Sequence, residues 1–210
     1  MASHAGLETE IKLGVEDAAS GRALLRRAGF RISRRKVFEA NTVYDTPRHA
    51  LREAGCLLRV RQAGRKATLT YKGPPDANAR HKSREELEVE IPDAATVAAI
   101  VERLAFEPVF RYEKYRTEYR QPGGGGIATL DETPIGVYLE LEGSADWIDR
   151  TAKQLGYREG EYILGSYASL YASWRRLWGV PPGDMVFEKP SLDAETGPQD
   201  RRAPRRGENV

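Results

Sequence analysis

Short stretches in which polar and apolar side chains alternate recur along this chain, and their period of two predicts β-strands. Residues 7–13 begin the series. Because successive strand residues point to opposite faces, Glu8, Glu10 and Lys12 share one face there, and the other face is mostly apolar. The same period predicts further strands near residues 30–44, 56–61, 66–72, 86–91, 109–119, 127–130 and 137–142.

Four other segments have the residue spacing and the end signals of helices. Residues 18–28 precede Gly29, and glycine suits the position just after a helix C-terminus. Asp93 and Ser144 are good N-cap residues for a second and a third helix. The last helix is predicted over residues 166–178, with tyrosine, leucine and tryptophan side chains along one apolar face.

The polar faces of the predicted strands are charged repeatedly, and acids and bases are segregated by strand. One interpretation is an open antiparallel sheet whose solvent face carries cross-strand ion pairs. The other is a barrel whose charged faces point inward and whose apolar outer faces are covered by helices. Several meandering strands with long charged faces favour the closed barrel, because closure leaves no exposed strand edge.

The composition fits one compact domain and argues against several function classes. The chain has 210 residues and a formal net charge of +2, so it is not a strongly basic nucleic-acid binder. A single cysteine excludes an intramolecular disulfide. Since no long apolar stretch is present, we expect a cytoplasmic protein without a membrane partner.

The domain organisation predicted from composition is a domain over residues 1–179 and a tail over residues 180–210. The tail is rich in proline and charge, which is typical of disorder, although Met185-Val186-Phe187 offers an alternative as a short docking segment. The glycine run at residues 123–126 is not followed by Lys-Ser/Thr. It is therefore not a phosphate loop of the Walker type and is interpreted as a flexible hairpin connection.

The ordered series of charged motifs resembles the CYTH superfamily, the triphosphate tunnel metalloenzymes. The ExExK signature of that family matches Glu8-Thr9-Glu10-Ile11-Lys12. The resemblance continues over roughly residues 5–175, through Tyr44-Asp45-Thr46-Pro47, Leu58-Arg59-Val60-Arg61, Thr70-Tyr71-Lys72-Gly73-Pro74, the acidic strand at 86–90, Lys114-Tyr115-Arg116, Asp131 and Glu140-Leu141-Glu142. It implies an α+β, mainly β fold: a closed eight-stranded antiparallel barrel with flanking helices, whose tunnel binds a triphosphate and a divalent metal.

The resemblance and the residue chemistry together give a candidate site. A triphosphate needs cations along its length, and arginine can bind two phosphate oxygens at once. The expected phosphate-binding residues are Lys12, Arg59, Arg61, Lys72, Lys114 and Arg116. Carboxylates suit Mg²⁺ or Mn²⁺, hard cations that prefer oxygen ligands. The first candidate ligands are Glu8, Glu10, Glu140 and Glu142, followed by Asp131, Glu86 and Glu88. Catalytic roles are assigned to Lys72 and Glu10.

The reaction itself is left with three alternatives. The first is metal-dependent hydrolysis of inorganic triphosphate or a small organic triphosphate. The second is a class IV-like adenylate cyclase, and the third is a non-catalytic module that binds polyphosphate or nucleotide. Val43 and Ser166 depart from the pattern of animal thiamine triphosphatases, which puts thiamine triphosphate in doubt. The expected partner is a small triphosphate substrate rather than nucleic acid, and a homodimer is left open.

Overall fold

The barrel predicted from the alternating pattern is present in the computed structural model, which describes residues 3–76 and 80–188. Its strands are β1 (Ser3–Val15), β2 (Arg31–Asp45), β3 (Leu57–Ala63), β4 (Lys66–Lys72), β5 (Lys82–Ile91), β6 (Glu107–Arg120), β7 (Gly126–Thr133) and β8 (Gly136–Gly143). The strand order is β1-β5-β4-β3-β2-β6-β7-β8, and β8 pairs with β1 to close the barrel. Every neighbouring pair is antiparallel, so the predicted fold class is confirmed.

Five α-helices accompany the barrel in the described residues. They are α1 (Ala18–Arg27), α2 (Ala50–Glu53), α3 (Ala94–Arg103), α4 (Ala145–Gln154) and α5 (Tyr167–Trp178). The side chains of Asp93 and Ser144 accept backbone N–H groups at the starts of α3 and α4, as their sequence positions predict. The single turn of α2 was not predicted. It is stabilised by a residue outside the helix, since the Asp45 carboxylate accepts the backbone N–H groups of Leu51 and Arg52.

The apolar core lies between the outer wall of the barrel and the helices. On one side, Ile11 and Leu141 of the barrel pack with Leu25 of α1 and Ile148 of α4, and none of these four side chains is exposed. Burying a leucine or isoleucine fully stabilises the fold by about 1.5–3 kcal/mol. On this side the helices therefore cover the apolar strand faces, whereas Leu7 and Leu87 on the outer faces of β1 and β5 are exposed. The charged faces are left to the barrel interior.

The glycine run before β7 is required by close packing as well as by chain reversal. Gly123, Gly124 and Gly125 have positive φ angles, which favour glycine. At Gly126, a Cβ atom would lie 2.5 Å from the ring of Trp147 in α4. The interpretation as a hairpin connection therefore holds, with a packing constraint at its end that the sequence did not reveal.

One end of the barrel is covered by α5 and by the chain that follows it. An aromatic cluster there joins Tyr112 and Tyr138 of the barrel to Tyr167 and Tyr171 of α5, with Met185 fully buried among them. The segment Met185-Val186-Phe187 thus docks, in agreement with one of its two interpretations. The predicted tail extends beyond it into residues 189–210, which lie outside the described residues. Among the described residues, no helix combines the length and apolarity that crossing a membrane needs.

Candidate functional site

The charged strand faces point into the barrel. Directly opposed residues of paired strands lie on the same sheet face, and Glu10 of β1 is opposite Glu142 of β8 and Lys82 of β5. The residues Lys12 and Lys114 have only 3% and 2% of their surface exposed. Lysines are almost never this buried unless they are paired. The alternative of an open sheet with solvated charges is therefore wrong, and the interior is a charged tunnel.

One side of the tunnel, which we call the cation wall, consists of Arg59, Arg61, Lys114 and Arg116 on β3 and β6. Glu39 of β2 lies among these cations, 3.7 Å from Lys114 Nζ and 4.0 Å from Arg61, with 1% of its surface exposed. Burial would raise the pKa of Glu39, but Lys114, Arg116 and Arg61 lower it to about 2. Glu39 thus remains ionised and holds the cations together.

Several donors of the tunnel have no acceptor among the described residues. Arg59 donates from Nη1 to the Tyr112 hydroxyl at 3.1 Å and from Nη2 to Thr70 at 3.2 Å, while its Nε is buried and unbonded. The Nε atoms of Arg61 and Arg84 are also buried without a hydrogen-bond partner. Leaving such a donor unsatisfied costs about 1–3 kcal/mol or more. These N–H groups are therefore suited to receive the oxygens of an anionic ligand.

The opposite side, the carboxylate wall, consists of Glu8, Glu10, Glu86 and Glu142 on β1, β5 and β8. Lys72 lies 2.5 Å from the Glu8 carboxylate and 3.1 Å from that of Glu86, and Lys82 lies 2.9 Å from that of Glu10. Burial alone would raise the pKa of Glu10, but the charges of Lys12 and Lys82 lower it below its usual value.

Two carboxylates of this wall nevertheless resist ionisation. Burial and the charge of Glu10 raise the pKa of Glu8. Glu142 is partly reached by solvent. Partial loss of its hydration within the protein and the negative charge of Glu8 nevertheless raise its pKa to about 7. Crowded carboxylates that resist ionisation are stabilised by a nearby cation, and an all-oxygen donor set suits Mg²⁺ or Mn²⁺. The residues present therefore fit a divalent metal.

The metal-ligand geometry itself is not assembled in the described residues, where no group of three histidine, cysteine, aspartate or glutamate side chains surrounds one metal-sized point. Lysines hold the carboxylates instead: Lys72 holds Glu8 and Glu86, and Lys12 holds Glu10 at 3.3 Å. A metal and an anionic ligand would have to replace these ion pairs together. The carboxylates would then turn to the metal and the ammonium groups to the anion.

The remaining predicted ligands lie nearer the cation wall. Asp131 is fully buried and accepts from Lys114 at 2.8 Å, from Arg116 at 2.6 and 2.7 Å, and from the Tyr167 hydroxyl at 2.8 Å. Glu140 pairs with Arg116 and, at 3.4 Å, with Lys12. These two carboxylates therefore orient cations in the structure, and a role for either as a metal ligand stays a prediction.

The seventh predicted ligand, Glu88, also lies among cations. Its carboxylate accepts from Thr70 at 2.7 Å and lies 3.6 Å from Arg59 and 3.9 Å from Arg61. It thus links β5 to the cation wall. Its assignment as a metal ligand likewise stays a prediction.

Four tunnel residues were missed as site residues by the sequence analysis. Tyr167 was assigned to the apolar face of α5, yet its ring lies 5.4 Å from Lys12 Nζ and 5.0 Å from Lys114 Nζ, within cation–π range. Tyr112 and Glu39 carried no signal either, because neither belongs to a repeated charged pair, whereas Lys82 alternates with Arg84 and was overlooked at the start of the acidic strand. Tyrosine is ambiguous in any pattern, since it has an apolar ring and a polar hydroxyl.

Comparisons with known proteins agree with this geometry. The family model for the CYTH domain matches residues 6–167. A protein of Methanocaldococcus jannaschii named putative adenylate cyclase MJ0240 is 31% identical over 150 residues, which cover 71% of this chain and 83% of that protein.

Solved structures share the fold. The PH1819 protein from Pyrococcus horikoshii OT3 superposes with a TM-score of 0.67 at 26% identity, over 79% of this chain and 98% of that one. The HpAC1 protein from Hippeastrum, described as a putative adenylyl cyclase with a dominant triphosphatase activity, superposes with a TM-score of 0.58 at 18% identity, over 80% of this chain and 95% of that one. Since the CYTH match spans most of the sequence and the whole charged tunnel, this chain belongs to the CYTH domain family.

Proposed function

We propose that this protein is a divalent-metal-dependent hydrolase of inorganic triphosphate or of a small organic triphosphate. The observation that carries the proposal is the pairing of a cation wall with a carboxylate wall across one tunnel, with buried arginine N–H groups that have no acceptor in the described part of the chain. A simple anion-binding module needs cations alone. The crowded carboxylates of Glu8, Glu10, Glu86 and Glu142 therefore favour an enzyme over a non-catalytic binder.

The cation wall is assigned to the phosphate chain. Arg59 and Arg61 present buried Nε donors, and Lys114 and Arg116 are fixed in place by Asp131. Hydrogen bonds between ionised partners are roughly twice as strong as neutral ones, and a guanidinium can bind two phosphate oxygens at once. The substrate would thus be aligned along β3 and β6, with its charge neutralised on that side.

The carboxylate wall is assigned to Mg²⁺ or Mn²⁺, held by Glu8, Glu10, Glu86 and Glu142. A bound divalent metal supplies a positive charge on the phosphate oxygens and lowers the pKa of a coordinated water. Glu10 keeps a negative charge for this purpose, because Lys12 and Lys82 lower its pKa. Lys72 would turn from its two carboxylates to a phosphate oxygen and stabilise negative charge there.

The reaction that follows from this arrangement is attack of water on the terminal phosphorus. A new P–O bond forms to the water oxygen, the bond from that phosphorus to the bridging oxygen breaks, and orthophosphate and diphosphate are released with a proton to solvent. The tunnel contributes by positioning the chain and by stabilising charge on its oxygens, which are the main contributions of enzymes to phosphoryl transfer. No nucleophilic side chain is required.

Adenylate cyclase activity is the second candidate, and the name of the Methanocaldococcus relative favours it. A cyclase must also place the nucleoside, so that the ribose hydroxyl attacks the α-phosphorus. Tyr112, Tyr138 and Tyr167 pack together in the aromatic cluster at the α5 end. That end is filled by side chains, which supports a substrate without a large base there.

The test is product identification with purified protein. Tripolyphosphate, thiamine triphosphate and ATP are each incubated with Mg²⁺ or Mn²⁺, and a parallel sample contains EDTA. Orthophosphate from tripolyphosphate that disappears with EDTA is the expected result. Cyclic AMP and diphosphate from ATP, without hydrolysis of tripolyphosphate, would replace the hydrolase by the cyclase. Tight binding without turnover of any substrate would leave only a binding module.

A further inference from the structure

The chain after α5 returns to the barrel and pairs with β6. We call residues 184–187 the C-terminal strap. The Met185 N–H donates to the carbonyl of Arg111 at 2.9 Å, and the Glu113 N–H donates to the carbonyl of Met185 at 2.8 Å. The Asp184 carboxylate also accepts the Arg111 N–H at 2.8 Å. The strap thus forms a short parallel addition to the edge of β6.

The place of this addition is a gap in the barrel wall. Pairing between β6 and β7 runs only from Tyr115 to Tyr119 on β6, so within residues 3–76 and 80–188 the strap is the partner on that side of the preceding part of β6. Phe187 closes the strap by packing its ring at a tilt against Tyr115, with ring centroids 5.3 Å apart, and its N–H donates to the Glu113 carboxylate at 3.0 Å. The strap lies outside the CYTH match, which ends at residue 167.

The buried side chain of the strap reaches residues of the tunnel. Met185 has no exposed surface and belongs to the cluster that contains Tyr112 and Tyr167. Tyr112 is also its bridge partner on β6. A thioether side chain fills irregular gaps and contacts aromatic rings favourably. The position of the Tyr112 ring therefore depends on Met185.

Tyr112 in turn fixes the guanidinium of Arg59. Its hydroxyl accepts from Nη1 at 3.1 Å, and Thr70 accepts from Nη2 at 3.2 Å. The donor at the third nitrogen, the Nε–H, has no hydrogen-bond acceptor among the described residues. Protein groups thus hold two sides of the guanidinium and leave the third for a ligand.

We infer that the C-terminal strap is a positioning element of the phosphate site: Met185 holds Tyr112, and Tyr112 sets the direction of the Arg59 guanidinium. The inference rests on the proposed function in so far as the ligand is a triphosphate. Misplacing a binding group by about 1 Å can cost up to about 100-fold in rate. For loss of the Met185 side chain we expect about a tenfold higher KM for tripolyphosphate, equivalent to one weakened charge-assisted hydrogen bond, and a kcat within about threefold of wild type.

The first experiment compares point variants of the strap in steady-state assays with Mn²⁺, with circular dichroism as the check of folding. Met185→Ala is the test, Met185→Leu restores an apolar side chain of similar volume, and Val186→Ala is the matched control, since Val186 is 40% exposed. We expect the alanine variant to raise KM, the leucine variant to recover most of the loss, and the control to equal wild type. Equal KM values for Met185→Ala and wild type would overturn the inference.

Two truncations separate the strap from the residues after it. A chain that ends at Glu188 keeps the strap and lacks only residues 189–210, and a chain that ends at Gly183 lacks both. We expect the first to equal wild type in KM and the second to resemble Met185→Ala. A raised KM in the chain that ends at Glu188, equal to that of the shorter chain, would assign the effect to residues 189–210 and overturn the inference.

A double-mutant cycle distinguishes positioning from general stability. If Met185 acts through the Tyr112 hydroxyl, then Met185→Ala must change KM far less in a Tyr112→Phe background than in wild type. Full additivity of the two effects would contradict the inference.

A spectroscopic measurement keeps the inference independent of the proposed activity. In protein labelled with ¹³C at tyrosine Cζ, the Tyr112 signal must move in Met185→Ala and stay in place in Val186→Ala. An unmoved Tyr112 signal would overturn the role of the strap even if triphosphate is hydrolysed. Wild-type protein that hydrolyses no triphosphate would refute the proposed function, while this signal would still decide the role of the strap.

Discussion

Arg59 offers a direct perturbation of the cation wall, because its interactions are divided between protein and ligand. Its Nη atoms are bonded to Tyr112 and Thr70, and its Nε has no described acceptor. A hydrogen bond to a charged group contributes about 1.5–3 kcal/mol, and each 1.4 kcal/mol is a factor of ten. Arg59→Ala should therefore lower kcat/KM for tripolyphosphate by about 10- to 150-fold.

The substitution should leave the fold intact, because Glu88 keeps its contacts with Thr70 and Arg61 when Arg59 is removed. The assay is steady-state release of orthophosphate with saturating Mn²⁺, together with thermal unfolding of each variant. Arg59→Lys keeps the charge but loses the planar fork, so its kcat/KM should lie between those of wild type and Arg59→Ala. Arg103→Ala, at an exposed position on α3, is the control and should equal wild type. A folded Arg59→Ala variant with kcat/KM within twofold of wild type would refute the phosphate-binding role.

Three further predictions test other parts of the account. Glu10→Gln should weaken Mn²⁺ binding, measured by calorimetry, on the order of 100-fold. The control Glu16→Gln, at an exposed position, should bind Mn²⁺ as wild type does. Equal Mn²⁺ affinities of Glu10→Gln and wild type would remove Glu10 from the metal site. The pKa of Glu39 is lowered from 4.5 to about 2, so Glu39 stabilises the fold above about pH 4.5, and on the order of 3 kcal/mol is lost as pH falls towards 2. In urea unfolding, Glu39→Gln should lack that acid-dependent loss of stability. If the unfolding free energy of the variant fell with pH as steeply as that of wild type over this range, the assignment would be contradicted. Gly126→Ala would place a Cβ atom 2.5 Å from a β8 carbonyl oxygen and from an indole ring, and should cost about 1–3 kcal/mol of unfolding free energy. At Gly160 a Cβ would meet no atom within 4 Å, so Gly160→Ala should melt close to wild type, and equal melting of the two variants would refute the packing argument.

The barrel and most of its wall were predictable because a period of two is a strong signal when one face is charged. The spacing of Glu8, Glu10 and Lys12 alone predicts that they share a strand face, and Glu140 and Glu142 repeat this spacing. Their inward direction follows once the opposite faces are apolar, since those faces must meet helices. The family resemblance then supplied strand number and ligand class, which the periodicity alone did not.

The pairing of charges across the tunnel was not predictable, because it depends on strand register and barrel closure. The sequence places Lys72 and Glu8 on β4 and β1, and only the pairing of both strands with β5 brings Nζ and the carboxylate 2.5 Å apart. Lys82 was missed because it precedes the repeated acidic pattern of β5. Glu39 was missed because neutral residues flank it along its face.

The central claim is that phosphate and metal lie on opposite walls of one tunnel. The most direct test is a crystal structure of the protein with Mn²⁺ and a non-hydrolysable triphosphate analogue, with manganese located by anomalous scattering. We predict manganese at the carboxylates of Glu8, Glu10, Glu86 and Glu142, and phosphate oxygens within hydrogen-bond distance of Arg59 and the rest of the cation wall. Manganese away from these carboxylates, or an analogue bound outside the tunnel, would contradict the account.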